Sequence, residues 1–178
     1  AWAWATHYLT TCSNSGTYRI AMGFGSMAWS VGAIIGSAIA RPEEPHVCVI
    51  GDGAMQMSSH EIGVAVQHKL PILFIILNDS AYGMVKFGQR MSQAESIGWE
   101  LNMVNFAVLA RAQGAKGLVI ETPEQLEKLD LYSIFSGNKP MVLDVRIDPE
   151  EVPPMMDRVK SLNAGVDTVF LTAAPEQK

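Results

Sequence analysis

The chain has 178 residues, enough for one domain with a sizeable core. With 48% hydrophobic and 17% charged residues it is not a disordered chain. A net charge of −5, with no run of Lys or Arg, argues against a nucleic-acid groove, so no nucleic-acid partner is expected.

The two cysteines are Cys12 and Cys48, and Cys48 lies in an apolar strand as a buried small hydrophobe. This usage fits a reducing compartment, and a cytoplasmic location is expected. Ala1-Trp2-Ala3-Trp4 lacks the basic and apolar regions of a signal peptide. The apolar segment Ile20–Ala40 is broken by Gly23, Gly25, Gly32 and Gly36, so it reads as a glycine turn and a buried helix, and no membrane span is expected. The missing initiator Met suggests a piece of a longer protein. The low charge and ten Met leave room for a large interface.

In chain order, residues 1–16 read as a short helix and a polar loop, Thr10–Gly16. Thr17–Met22 reads as a short strand, Gly23–Met27 as a turn, and Ala28–Ala40 as a helix lined with small residues. Arg41–His46 is a connector. Val47–Ile50 is an apolar strand ending at Gly51-Asp52-Gly53. A capping box, Ser58-Ser59-His60-Glu61, starts a helix whose apolar face is Ile62, Ala65 and Val66, and Lys69-Leu70-Pro71 ends it. Ile72–Leu77 is a second apolar strand, ending at Asn78-Asp79-Ser80. Ala81–Asn102 lacks a clean period and reads as a long functional loop with one helical turn. Asn105 opens a helix stopped by Gly114, and Gly117–Ile120 is a strand. Thr122-Pro123-Glu124-Gln125 caps a helix running towards Phe135, and Met141–Ile147 is strongly β. The alternation predicts an α/β domain, a three-layer sandwich with a mostly parallel sheet, over residues 1–150. Residues 151–178 read as an irregular tail.

Two parallel strands joined by a helix place both acidic turns at one edge of the sheet, outside the carboxyl ends of the strands, where open α/β sheets bind ligands. Asp52 and Asp79, 27 positions apart, each follow a strand. Two carboxylates and the Ala81 carbonyl suit a hard cation such as Mg²⁺ or Ca²⁺. Gly51 and Gly53 allow close backbone approach, and the amides of Gly53 and Ala54 suit a phosphate. Ordinary strand-end turns would produce the same two aspartates. Gly23-Phe24-Gly25-Ser26-Met27-Ala28 also has the form of a dinucleotide fingerprint. A dinucleotide-binding module is the weaker reading, because Asp52 stands between two glycines that a ribose-binding carboxylate does not need. The four histidines lie apart and form no ligand spacing with a cysteine.

The run Ile35-Gly36, Pro42, Val47, Val49, Gly51-Asp52-Gly53-Ala54, followed by Leu77-Asn78-Asp79, resembles the signature of the thiamine-diphosphate enzymes of the acetolactate synthase and pyruvate decarboxylase group. The resemblance covers roughly residues 20–150 and corresponds to that family's C-terminal, diphosphate-binding domain, the thiamine diphosphate-binding fold. It implies thiamine diphosphate and Mg²⁺ as cofactors, with Asp52, Asp79 and the Ala81 carbonyl as metal ligands. Gly51, Gly53, Ala54 and the turn Tyr82-Gly83-Met84 correspond to the diphosphate site. Gly25 and Ser26 lie at the aminopyrimidine, and Met27 matches the apolar residue that bends the cofactor.

Two departures stand out. Asp79 replaces the usual Asn. Gly83-Met84-Val85-Lys86 is similar to the acetolactate synthase run, with Val85 where pyruvate decarboxylases carry a catalytic Glu; yet Gly88 replaces a bulky Trp of the acceptor pocket. The resemblance implies a 2-oxo acid substrate, decarboxylated with carboligation, or without ligation in the alternative. It also implies a homo-oligomer, and a pyrimidine-binding domain supplied by a missing segment or another subunit. The family's activating Glu belongs to that domain, so no catalytic residue is assigned here and the chain is expected to be incomplete as a catalyst alone. An assembly domain that keeps the fold without cofactor is a further alternative.

Overall fold

A computed structural model describes residues 1–9, 18–21 and 23–154. The elements are α1 (Trp2–Leu9), α2 (Trp29–Ala40), β1 (His46–Gly51), α3 (Asp52–Ser58), a 3₁₀ turn (Ser59–Glu61), α4 (Ile62–Gln67), β2 (Ile72–Asn78), α5 (Gly83–Met91), α6 (Phe106–Ala112), β3 (Lys116–Ile120), α7 (Pro123–Glu127), α8 (Leu131–Phe135) and β4 (Met141–Arg146). The four strands form one sheet in the order β1-β2-β4-β3, every neighbouring pair parallel.

The layers follow from the strand period of two. In β2, Ile72, Phe74 and Ile76 face a core shared with Val31, Ile35, Met55, Ile62, Ala65, Phe106 and Ala110, from α2, α3, α4 and α6. Leu73 and Ile75 face the opposite side, with Ile120, Ile134, Met141 and Leu143. Helices therefore cover both faces of a parallel sheet, the three-layer α/β arrangement that strand–helix alternation predicts. Cys48, on β1, is buried as expected.

Local departures have local causes. The helix after β1 begins at Asp52 itself, because Gly51 is still extended (φ −84°, ψ 157°) and Asp52 is already helical. The box expected at Ser58 is not formed; Ser58 makes no capping hydrogen bond and its buried Oγ has no partner. Residues 18–21 form no strand, while Thr17, Met22 and the loop 10–16 lie outside the described residues. Ala28 does not join α2, since it is left-handed at φ 69°. The segment after β2 holds a nine-residue helix, α5, where the sequence reads as mostly loop. The helix expected from Pro123 to Phe135 is two helices, because the Asp130 side chain accepts from Ser133 N–H at 3.0 Å and starts α8 anew. Asn105 caps α6 as expected, accepting from Val108 N–H at 2.9 Å. Residues 147–154 carry no helix or strand; Cys12 and residues 155–178 of the expected tail lie outside the described residues.

Candidate functional site

All four strands run the same way, so their carboxyl ends share one edge. There Gly51 of β1 pairs with Leu77 of β2, and Asn78 of β2 pairs with Arg146 of β4. The two acidic turns leave from neighbouring strands, as the sequence predicts.

Asp52 opens α3 and is 3% exposed. Its Oδ1 accepts from the Gly53 N–H at 2.8 Å, and its Oδ2 is buried without a hydrogen-bond partner. Burial pushes the Asp52 carboxyl up to about 6; the Gly53 amide opposes this and the Asp79 charge adds to it. Burial also raises Asp79, against its own backbone amide, the Ala1 ammonium, the Ala81 amide and the Lys86 ammonium. The buried Asp52 carboxyl thus feels the charge of a half-buried neighbour, Asp79.

The turn after β2 is tightly held. Ser80 is left-handed at φ 54°. Its N–H donates to Asn78 Oδ1 at 3.3 Å, and its carbonyl accepts from Leu101 N–H at 2.9 Å. Ala81 forms an antiparallel bridge with Glu100, and Tyr82 N–H donates to the Trp99 carbonyl at 2.7 Å. Tyr82 lies against Gly53, and a Cβ on Gly83 would sit 3.2 Å from Asp79 Oδ2. Gly51, Asp52, Gly53, Asp79, Ala81, Tyr82 and Gly83 are therefore gathered at one place, with Ala54 and Met84 one residue further along α3 and α5. A cleft of about 630 Å³, lined by Gln56, Ser80, Glu100, Leu101 and Asn102, opens beside them.

Gly25, Ser26 and Met27 form an exposed turn, with Met27 at 48% exposure and nothing within 4 Å of a Cβ placed on Gly25. No backbone hydrogen bond among the described residues joins this turn to the aspartates. No strand precedes it in residues 18–21, so the strand–turn–helix context of a dinucleotide fingerprint is not formed there.

Sequence reasoning missed a buried polar network beneath the site. Asp144, fully buried in β4, accepts at Oδ1 from Asn78 Nδ2 (2.8 Å) and at Oδ2 from Phe106 N–H (2.9 Å) and Arg146 Nη2 (2.8 Å). Asn78 Nδ2 also donates to the Val104 carbonyl at 3.1 Å. The signal was present: Asp144 is a lone charge in the apolar run Met141-Val142-Leu143-Asp144-Val145. Lys86 was also missed as a buried group. It donates to the Pro149 carbonyl (2.6 Å) and Glu150 Oε1 (2.7 Å), and its ammonium lies over the Trp99 ring.

The donor set suits a divalent cation shared with another ligand. Asp52 offers an unpartnered buried oxygen, Asp79 a second carboxylate and Ala81 a backbone carbonyl, all hard oxygen donors. Among the described residues no group of three or more His, Cys, Asp or Glu gathers to close a shell. Phosphate oxygens and water would complete it. The Gly53 N–H already donates to Asp52 Oδ1, so that amide turns to its own carboxylate. No helix among the described residues is long and apolar enough to cross a membrane.

The sequence pattern described as "Thiamine pyrophosphate enzyme, C-terminal TPP binding domain" matches residues 2–145, reaching back through α1. The chain is 38% identical over 147 residues to an acetolactate synthase large subunit of Buchnera aphidicola subsp. Schlechtendalia chinensis, which covers 79% of this chain and 25% of that protein. It is 37% identical over 155 residues to the acetolactate synthase isozyme 3 large subunit of Escherichia coli (strain K12), covering 84% of this chain and 26% of that one. Among solved structures it resembles the Rhodococcus jostii RHA1 thiamine diphosphate-dependent 4-hydroxybenzoylformate decarboxylase, with a TM-score of 0.63 and 26% identity over 70% of this chain and 24% of that one. The chain thus spans about a quarter of the length of these relatives. With a parallel three-layer fold, paired aspartates at its carboxyl edge and a family match over most of its length, the chain belongs to the thiamine pyrophosphate enzymes as their C-terminal TPP-binding domain.

Proposed function

We propose that this chain supplies the diphosphate- and metal-binding half of a thiamine-diphosphate-dependent, acetolactate synthase-like enzyme acting on a 2-oxo acid. The observation that carries the reading is the buried, unpartnered Oδ2 of Asp52 beside Asp79. A buried carboxylate beside a half-buried one is costly, and a divalent cation held by the two would offset that cost.

In this reading Asp52, Asp79 and the Ala81 carbonyl hold Mg²⁺. Gly51, Gly53, Ala54, Tyr82, Gly83 and Met84 surround the diphosphate. Gly25, Ser26 and Met27 lie at the aminopyrimidine end, and the bound cofactor seats them. When bound, thiamine diphosphate supplies the carbon nucleophile and electron sink for decarboxylation of a 2-oxo acid. The chain's own residues bind and orient the diphosphate, with the Tyr82 ring and Leu101 packed against Gly53 beside the buried Asp52. The proton donor to the aminopyrimidine belongs to a pyrimidine-binding domain, from another segment or a neighbouring subunit of a homo-oligomer. The enzyme works in the cytoplasm.

Carboligation is the first reading, because the apolar Val85 stands where the resembled pyruvate decarboxylases carry a catalytic Glu, a proton donor. A non-ligating decarboxylase is the second; Gly88, in place of the bulky Trp of acetolactate synthases, leaves the acceptor open. The test is calorimetric titration of the complete protein with thiamine diphosphate, with Mg²⁺ and with EDTA, followed by product analysis on pyruvate. Mg²⁺-dependent binding is expected, and an acetolactate product identifies the ligase. Absence of binding in the complete, partner-bound protein sinks the cofactor assignment.

A further inference from the structure

Asp144 is buried and reaches neither acidic turn directly, yet it controls one of them through Asn78. Three donors converge on its carboxylate: Asn78 Nδ2 on Oδ1, and Phe106 N–H with Arg146 Nη2 on Oδ2. Such a site requires an acceptor at both oxygens, and only a carboxylate provides that. The Asn78 amide is thereby oriented in one way only. Its Nδ2 faces two acceptors, Asp144 Oδ1 and the Val104 carbonyl, which leaves its Oδ1 for the Ser80 N–H. That bond closes the turn around Ser80, whose left-handed φ of 54° a non-glycine residue adopts at a cost. Asp79 and Ala81 flank Ser80 on either side. The other flank of the turn is fixed by Leu101 N–H on the Ser80 carbonyl. The loop supplying Val104 and Phe106 is drawn in by the same carboxylate.

We infer that Asp144 and Asn78 are positioning residues for the metal-ligating turn: Asp144 orients the Asn78 amide, and Asn78 holds Ser80 so that Asp79 and the Ala81 carbonyl present their oxygens together. This rests on the proposed cofactor reading, and it adds two residues that touch neither metal nor diphosphate. An Asp144→Asn change keeps the shape but sets a donor against a donor on one oxygen or the other. Asn78→Ala removes the bond to Ser80 outright.

The test uses the complete protein, partner domain included, and Mn²⁺ as the probe, with and without thiamine diphosphate. Mn²⁺ affinity is read by electron paramagnetic resonance, and backbone exchange of peptides spanning 78–84 by hydrogen-exchange mass spectrometry. Both Asp144→Asn and Asn78→Ala are expected to weaken Mn²⁺ binding about tenfold or more. They should speed exchange in that peptide, and the double variant should weaken binding no further than the worse single one. Asp130→Ala, which removes the cap of α8 far from the turn, should leave Mn²⁺ affinity unchanged. Variants that bind Mn²⁺ as the wild type does, with only a lower Tm, overturn the inference and leave Asp144 a purely structural residue. If Asp144→Asn does not fold, Asn78→Ala decides alone. A wild type that takes up no Mn²⁺ with thiamine diphosphate overturns the cofactor reading and this inference with it, an outcome visible before any variant is compared.

Discussion

The Tyr82 ring fills the space that a side chain on Gly53 would need: a Cβ there would lie 2.6 Å from Tyr82 Cε1 and 2.8 Å from Cδ1. The first acidic turn and the second are thereby packed together without a gap. Gly53→Ala must push Tyr82 outward and disturb the turn that carries Asp79. We expect a stability loss of about 1–3 kcal/mol and a larger proportional loss of cofactor affinity. Thermal unfolding and titration with thiamine diphosphate check the two separately. Gly53→Ala in a Tyr82→Ala background should recover part of the stability.

Asp52 predicts a characteristic pH dependence. Burial holds its carboxyl at about 6 in the folded chain, above its unfolded value. The folded state therefore binds more protons than the unfolded one between roughly pH 4 and 6. In cofactor-free protein this contribution is favourable below that window. It is lost as pH rises through about 6, a change on the order of 2–3 kcal/mol. Asp52→Asn should flatten this part of the profile and raise the stability of the cofactor-free protein at pH 7, while abolishing Mg²⁺-dependent stabilisation. Urea unfolding at several pH values, with and without Mg²⁺ and thiamine diphosphate, gives the answer; equal profiles for both proteins would refute it.

Asp79 stands where the family usually carries Asn, and its charge faces that of Asp52. If Asp79 holds the metal as proposed, Asp79→Asn should weaken binding of the bare divalent ion, because one negative charge is gone. At saturating Mg²⁺ it should strengthen binding of thiamine diphosphate, because a charge that repels the diphosphate is gone. Opposite changes on the order of tenfold are expected, measured as separate metal and cofactor titrations. A change of the same sign in both would show that Asp79 acts by shape alone.

Lys86 fastens the segment after β4 to α5. Its ammonium, 1% exposed, binds the Pro149 carbonyl and Glu150, and Glu150 also pairs with Arg90 at 2.7 Å. These partners hold the Glu150 carboxyl down to about 2, Arg90 contributing most. A depressed carboxyl stabilises the fold above its unfolded value near 4, and the contribution fades as pH falls through about 2. Glu150→Gln should remove that acid-range dependence, its cost appearing at neutral pH and vanishing below about pH 2, and staying small because Glu150 is exposed. Lys86→Ala should cost more, about 2–4 kcal/mol, from lost packing and an emptied site beside Trp99. Chemical denaturation of the two variants ranks them.

Much of the site was legible because it is written in neighbouring residues. Gly51-Asp52-Gly53 and Asn78-Asp79 each sit at the end of an apolar run, and parallel connection brings such ends together whatever lies between. The layers were legible for the same reason, since Ile72 to Leu77 is uniformly apolar and calls for cover on both faces. The polar network was not, because Asp144 and Asn78 meet only through the strand order, and no local pattern marks which buried charge pairs with which amide. Helix limits failed where one side chain decides them, as Asp130 does in restarting α8. The long glycine-rich segment after β2 concealed α5 because its exposed Met84 and Val85 and its buried Lys86 reverse the usual pattern of hydrophobic burial.

The bond between Asn78 and Asp144 joins residues separated by 66 positions. Asp52 and Asp79 precede β4 in the chain, yet the amide that closes the turn between Asn78 and Ala81 is oriented by a residue of β4. A nascent or truncated chain that stops short of Asp144 carries both acidic turns but not the carboxylate that orients Asn78, so on the proposed reading it should bind metal more weakly than the full chain. On that reading, stabilisation by bound cofactor becomes available only after β4 has been made, and shorter chains go without it.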